Sequence, residues 1–144
     1  MMRPAVAGTV VAIDQLAKTA APHLHIGFVL PAHNPAYAFG TVGGSALALI
    51  VGSVAVLALF LAVIGRLAAH IGVSPSLPAL IAGGMLGNTL DRIRFGSVRD
   101  FLVVPGGIIN LADLAVAAGL IALVVMLVTH IPRHTAAPAA TRAI

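Results

Sequence analysis

The sequence predicts an all-α membrane protein of four transmembrane helices, and three observations carry that expectation. Sixty per cent of the 144 residues are hydrophobic, only 8% are charged, and the mean hydropathy is +1.09. Soluble folds do not show that balance. Residues 45–64 form a run of twenty without a charge, long enough to cross a hydrocarbon layer as a helix. Three other apolar segments, at 4–21, in the seventies to nineties and at 111–129, carry the few acidic residues and the motifs around them.

A chain of this length makes one domain. Residues 1–130 are expected to form a single four-helix membrane domain, and 131–144, with Pro132, Pro138, Arg133 and Arg142, a disordered cytoplasmic tail. The net charge of +4 does not mark a nucleic-acid binder, because the basic residues are scattered singly and form no stripe. The absence of cysteine excludes disulfides, thiolate metal sites and a cysteine nucleophile. The six histidines show no metal-ligand spacing, so neither metal nor cofactor is expected.

Each element has its own justification. Residues 4–21 reach roughly 27 Å as a helix, barely a span. A cleaved signal peptide, with Arg3 before it and Thr19-Ala20-Ala21 as the cut site, is disfavoured because Asp14 and Lys18 interrupt the apolar core. Those two stand four apart, acid first, the favoured order for an intrahelical ion pair. Residues 22–42 are the longest polar connector, and 26–30 within it, bounded by Gly27 and Pro31, suits a short strand. Ser74 with Pro75, or Ser76 with Pro78, supplies a cap and a first-turn proline for the third helix. In that helix Gly83 and Gly87 allow close approach of a neighbour, and Asn88, Asp91 and Arg92 share a face.

The stretch from Gly83 to Asp113 holds three of the four acidic residues, all aspartates. Carboxylates in or beside a hydrocarbon layer are costly, which marks them as functional. Gly96 ends the third helix, and 97–104 can run extended, with Asp100 pointing alongside Val98 and Leu102 and Arg99 pointing the other way. Pro105-Gly106-Gly107 turns the chain back. Asn110 can cap the fourth helix, placing Asp113 at its third position beside the positive dipole end. Asp100 and Asp113 can thereby meet at a membrane surface, where two close carboxylates share one proton and activate water without metal, serine or cysteine.

Taken together, Gly83-Gly84-x-x-Gly87-Asn88-x-x-Asp91-Arg92-x-x-x-Gly96-x-Val98-x-Asp100-Phe101 and Asn110-x-Ala112-Asp113 resemble the bacterial lipoprotein signal peptidases, which are four-helix membrane aspartyl proteases. Asp14-Gln15-x-x-Lys18 resembles that family's first-helix signature. His33-Asn34-Pro35-Ala36-Tyr37-Ala38-Phe39-Gly40 resembles its Arg-Asn-x-Gly-x-x-Phe segment, with His33 for the arginine and Ala36 for the glycine. The resemblance implies a small extracytoplasmic β-platform and Asp100 and Asp113 as the catalytic pair. It also implies substrate contacts from Asn34, Asn88, Arg92 and Asn110, and structural support from Asp14, Lys18 and Asp91. The implied substrate is a diacylglyceryl-modified prolipoprotein, cut just before its lipidated cysteine; the expected partners are that substrate and membrane lipids, and the protein is expected to be a monomer. Arg99 and Ile109 depart from the pattern, standing where the family has an apolar and an aromatic residue.

Four spans put both termini on one side, with Arg3, Arg66, Arg133 and Arg142 there and Lys18, Arg92, Arg94 and Arg99 opposite. The equal count decides nothing by itself. Discounting Lys18, Arg92 and Arg99 as members of the carboxylate cluster places the termini in the cytoplasm and the site at the outer face of a bacterial cytoplasmic membrane. Two other readings are weaker: a non-catalytic relative that binds lipidated peptides, and an ion- or proton-conducting bundle, which would want its acids at mid-span.

Overall fold

The structure, a computed structural model, describes residues 3–36, 43–70 and 72–130. The expected tail and the Tyr37–Gly40 part of the Asn34 segment lie outside them. Helix α1 (Pro4–Ala20) opens on a proline, where the missing N–H is no loss, and ends in a 3-10 turn, Ala21–His23. Strand β1 (Val29–Asn34) follows, then α2 (Ala46–His70) and α3 (Ser76–Phe95). A hairpin of β2 (Val98–Val104) and β3 (Gly107–Ile109) leads into α4 (Leu111–His130).

The four expected helices are present. Of these, α2 is by length and composition able to cross a membrane by itself, and only 11% of its apolar stretch Ala46–Ile64 is buried. A soluble core helix would be buried; α2 turns leucines and valines such as Leu47, Leu59 and Val63 outward, as a lipid-facing helix does. The apolar run of α4, Leu111–Met126, is shorter, while α1 and α3 carry the charged groups of the site.

The three strands form one antiparallel sheet in the order β1-β2-β3. The sequence places a first strand at 26–30, ended by Pro31, whereas the strand includes that proline and runs on to Asn34. The reason is position: β1 is an edge strand, the pairing with β2 slips between Val29 and Ala32, and a residue without an N–H is tolerated at such a place. β3 escaped the sequence reading because three residues are too few to show alternation. At the start of α3 neither serine caps through its side chain; Pro75 occupies the cap position and Pro78 falls in the first turn.

Helix α3 is central, packing against α1, α2 and α4. Its glycines are what allow it to do so. A Cβ at Gly83 would come within 2.8 Å of the Ala7 carbonyl oxygen on α1. One at Gly84 would strike the Ala112 carbonyl oxygen on α4 and approach Val116 Cγ2 to 2.8 Å. Backbone cannot yield as a side-chain tip can, so Gly84→Ala is expected to cost about 1–3 kcal/mol as overpacking. Thermal unfolding in detergent checks the effect.

Candidate active site

α1 and α3 end at the sheet, and α4 begins there, so three helix ends and β2 converge. Gly96, at φ 71°, ends α3 and turns the chain into β2. Along β2 the side chains alternate. Asp100 faces away from Arg99 and is 4% exposed.

Two asparagines hold Asp100. Asn110 Nδ2 donates to its Oδ1 at 2.6 Å, and Asn34 Nδ2 donates to its Oδ2 at 3.2 Å. Asn34 is itself fixed, because its Oδ1 accepts the Ala36 N–H at 3.0 Å. Asn110 and Asp113 form a reciprocal capping box at the start of α4. The Asp113 N–H donates to Asn110 Oδ1 at 2.9 Å, and the Asn110 N–H donates to Asp113 Oδ2 at 3.1 Å. Asn88 Nδ2 donates to Asp113 Oδ1 at 2.8 Å. One asparagine, Asn110, therefore touches both carboxyl groups, and no hydrogen bond joins the two carboxyls directly among the described residues.

Behind the pair lies a buried charge cluster. Lys18 Nζ sits 2.7 Å from Asp14 Oδ2 and 3.2 Å from Asp91 Oδ2, all three side chains fully buried. It also donates to Asn88 Oδ1 at 2.9 Å. Asp14 Oδ1 accepts the Ala112 N–H at 2.9 Å, so a residue of α1 satisfies one of the donors that α4's first turn leaves unpaired. Arg99 Nη2 lies 2.8 Å from Asp91 Oδ1. Gln15 Nε2 donates to Asp91 Oδ1 at 3.0 Å and Arg99 Nη2 donates to Gln15 Oε1 at 2.8 Å.

Both aspartates line one cavity of about 490 Å³. Its polar end is Asn34, Asn88, Arg92, Asp100 and Asp113, and its apolar walls come from Val56 of α2, Met85 of α3 and Val116 and Leu120 of α4. Burial pushes the Asp100 carboxyl above the usual aspartate range; the two asparagine donors oppose this, and the nearby Asp113 adds to it. Among the described residues, no group of three or more histidine or carboxylate side chains is placed to hold a metal ion.

The structure brings together Asp14, Lys18, Asn34, Asn88, Asp91, Arg92, Asp100, Asn110 and Asp113. Asn110 is 0% exposed, and its side chain is engaged by the two aspartates. In this arrangement Asn110 joins the two aspartates. Asn88 does line the cavity, but its amide bridges Lys18 to Asp113. Asn88, Asp91 and Arg92 do not act from one face. Steps of three and four residues fall about 60° to one side and 40° to the other, so Asp91 turns to α1 and β2. Arg92 turns to the cavity and donates to the Ala36 carbonyl at 3.2 Å. Sequence reasoning counted Arg99 with the carboxylate cluster but did not give its partners, Asp91 and Gln15.

A family model for signal peptidase II matches residues 6–129. The chain belongs to that family. The match takes in all four helices, the sheet and every residue of the site from Asp14 to Asp113. Among similar proteins, the lipoprotein signal peptidase of Moorella thermoacetica is 35% identical over 137 residues, covering 79% of this chain and 84% of that one. The lipoprotein signal peptidase of Syntrophus aciditrophicus is 36% identical over 142 residues, covering 83% and 87%. A solved bacterial membrane enzyme shares the fold with a TM-score of 0.74 at 21% identity, over 92% of this chain and 90% of its own. A second superposes with a TM-score of 0.68 at 24% identity, over 87% and 91%. This signal peptidase II chain is thus a bacterial membrane protein of a family that removes signal peptides from lipoproteins.

Proposed function

We propose that the protein is an aspartic endopeptidase that cuts diacylglyceryl-modified prolipoproteins just before the lipidated cysteine, with Asp100 and Asp113 as its catalytic pair. The observation that carries this is the placement of both carboxyl groups on the polar end of a cavity whose remaining walls are apolar. Peptide chemistry needs the first feature, and a lipid-bearing substrate needs the second. α3 backs the cavity, while α2 and α4 flank it, so the approach between α2 and α4 leads from the hydrocarbon layer to the aspartates. Asn34 and Arg92 lie where the substrate backbone would pass.

Two carboxyl groups joined through one asparagine, Asp100 buried and Asp113 half-buried, do not both ionise readily and together hold one proton. The ionised member takes a proton from water, and the protonated member polarises the scissile carbonyl. All four helices cross the bilayer in this reading. The termini are cytoplasmic, the sheet and dyad are at the outer face, and residues 1–130 act as one domain in a monomer.

The test is cleavage of matched precursors by the purified enzyme in lipid. The diacylglyceryl-modified precursor is expected to be cut, and the same precursor without its lipid is expected to be cut at least about tenfold more slowly, because lost remote binding lowers turnover. Equal cleavage of both would remove the lipid from the substrate definition, and no cleavage of either would remove the enzyme reading.

A further inference from the structure

The buried cluster behind the dyad balances only when Arg99 is counted. Asp14 and Asp91 bring two negative charges, and Lys18 brings one positive charge between them. Arg99 supplies the second, through Nη2 at 2.8 Å from Asp91 Oδ1 and Nε at 3.4 Å from Asp91 Oδ2. That fork is the geometry in which a guanidinium binds a carboxylate most firmly. The same Nη2 reaches Gln15 Oε1 on α1 at 2.8 Å, and the guanidinium lies over the Phe95 ring at 4.4 Å, a favourable cation–π contact. The backbone N–H of Arg99 also donates to Asp91 Oδ2 at 3.0 Å.

Arg99 precedes Asp100 in β2 and projects from the opposite face. Its side chain therefore fastens the strand to α1 and α3 from the opposite face, at a residue adjacent to the proposed catalytic carboxyl. We propose that Arg99 is a positioning residue, which locks β2 at the register that turns Asp100 toward Asn110 and the cavity. This rests on the reading of Asp100 as catalytic. Without the fork the backbone contact to Asp91 remains, so the strand stays paired but gains lateral freedom. A displacement of even a fraction of an ångström separates Asp100 from the alignment the reaction needs.

The experiment compares wild type, Arg99→Leu, Arg99→Lys and Asp100→Asn in lipid, with kcat and KM for a lipidated precursor and amide exchange of residues 98–102. Arg99→Leu is expected to lose about tenfold in kcat, as misplaced catalytic groups do, with KM unchanged and faster exchange along β2. Arg99→Lys should fall between, since one ammonium keeps the charge but cannot hold Asp91 and Gln15 together. Unchanged kcat and exchange in Arg99→Leu would overturn the proposal. So would a lower melting temperature with unchanged turnover per folded molecule, the mark of a purely structural ion pair. If Arg99→Leu is not recovered folded, wild-type kcat and exchange in Arg99→Lys overturn it instead. Asp100→Asn separates the two ideas. An active Asp100→Asn removes the catalytic reading, whereas exchange along β2 still reports on the clamp.

Discussion

Asp100→Asn and Asp113→Asn are each expected to abolish cleavage of a lipidated precursor while leaving the protein folded. Asparagine keeps the shape but cannot take a proton from water, so the shared-proton chemistry fails. The losses should reach about 10³-fold or more and be non-additive, because neither carboxyl works without the other. Asp113 also accepts the Asn110 N–H in the capping box, and asparagine can cap about as well as aspartate. Near-normal cleavage by Asp113→Asn in a gel-shift assay would therefore leave it a helix cap and sink the protease dyad.

The same substitution at Asp100 has a thermodynamic signature with a defined sign. Its carboxyl lies above the usual range in the folded protein, chiefly through burial. An unfolded aspartate ionises near pH ~3.9. Below that value both states hold the proton and the folded state suffers no penalty. As the pH rises, the unfolded chain releases its proton first, so wild-type stability falls until the folded carboxyl ionises too. The melting temperature of Asp100→Asn minus that of wild type should thus grow from about pH 4 upward and then level off. A difference that is flat across this range would contradict the raised value.

The second large effect is at Lys18. Its ammonium is shared by Asp14, Asp91 and Asn88, and Lys18→Met would leave two buried carboxylates with Arg99 as their remaining cation. Breaking a buried pair by removing one partner costs about 3–5 kcal/mol, a large part of a typical total stability of about 5–15 kcal/mol. Folded yield by size exclusion and thermal stability should collapse, while the folded remainder retains more of its turnover than of its yield. Asp14→Ala should behave in the same way, because it also removes the acceptor for the Ala112 N–H at the start of α4. A stable, inactive Lys18→Met or Asp14→Ala would move these residues from support into the chemistry.

What the sequence by itself determined are the features governed by local chemistry. Composition and the charge-free run foretold a membrane protein. The i, i+4 spacing foretold the Asp14–Lys18 pair, and the Asn110–Asp113 interval foretold the capping box. Alternation after Gly96 foretold that Asp100 and Arg99 would face opposite ways. Tertiary structure alone decided what depends on groups far apart in the chain. It put Asp14 on the first turn of α4, 98 residues away, and it made Asn88 a bridge between Lys18 and Asp113. It also joined Arg99 to Gln15 across 84 residues and let Pro31 remain inside an edge strand. The physical reason is common to the first three. A buried polar group must find a partner wherever packing offers one, and packing here is set by how closely the glycine face of α3 lets α1 and α4 approach.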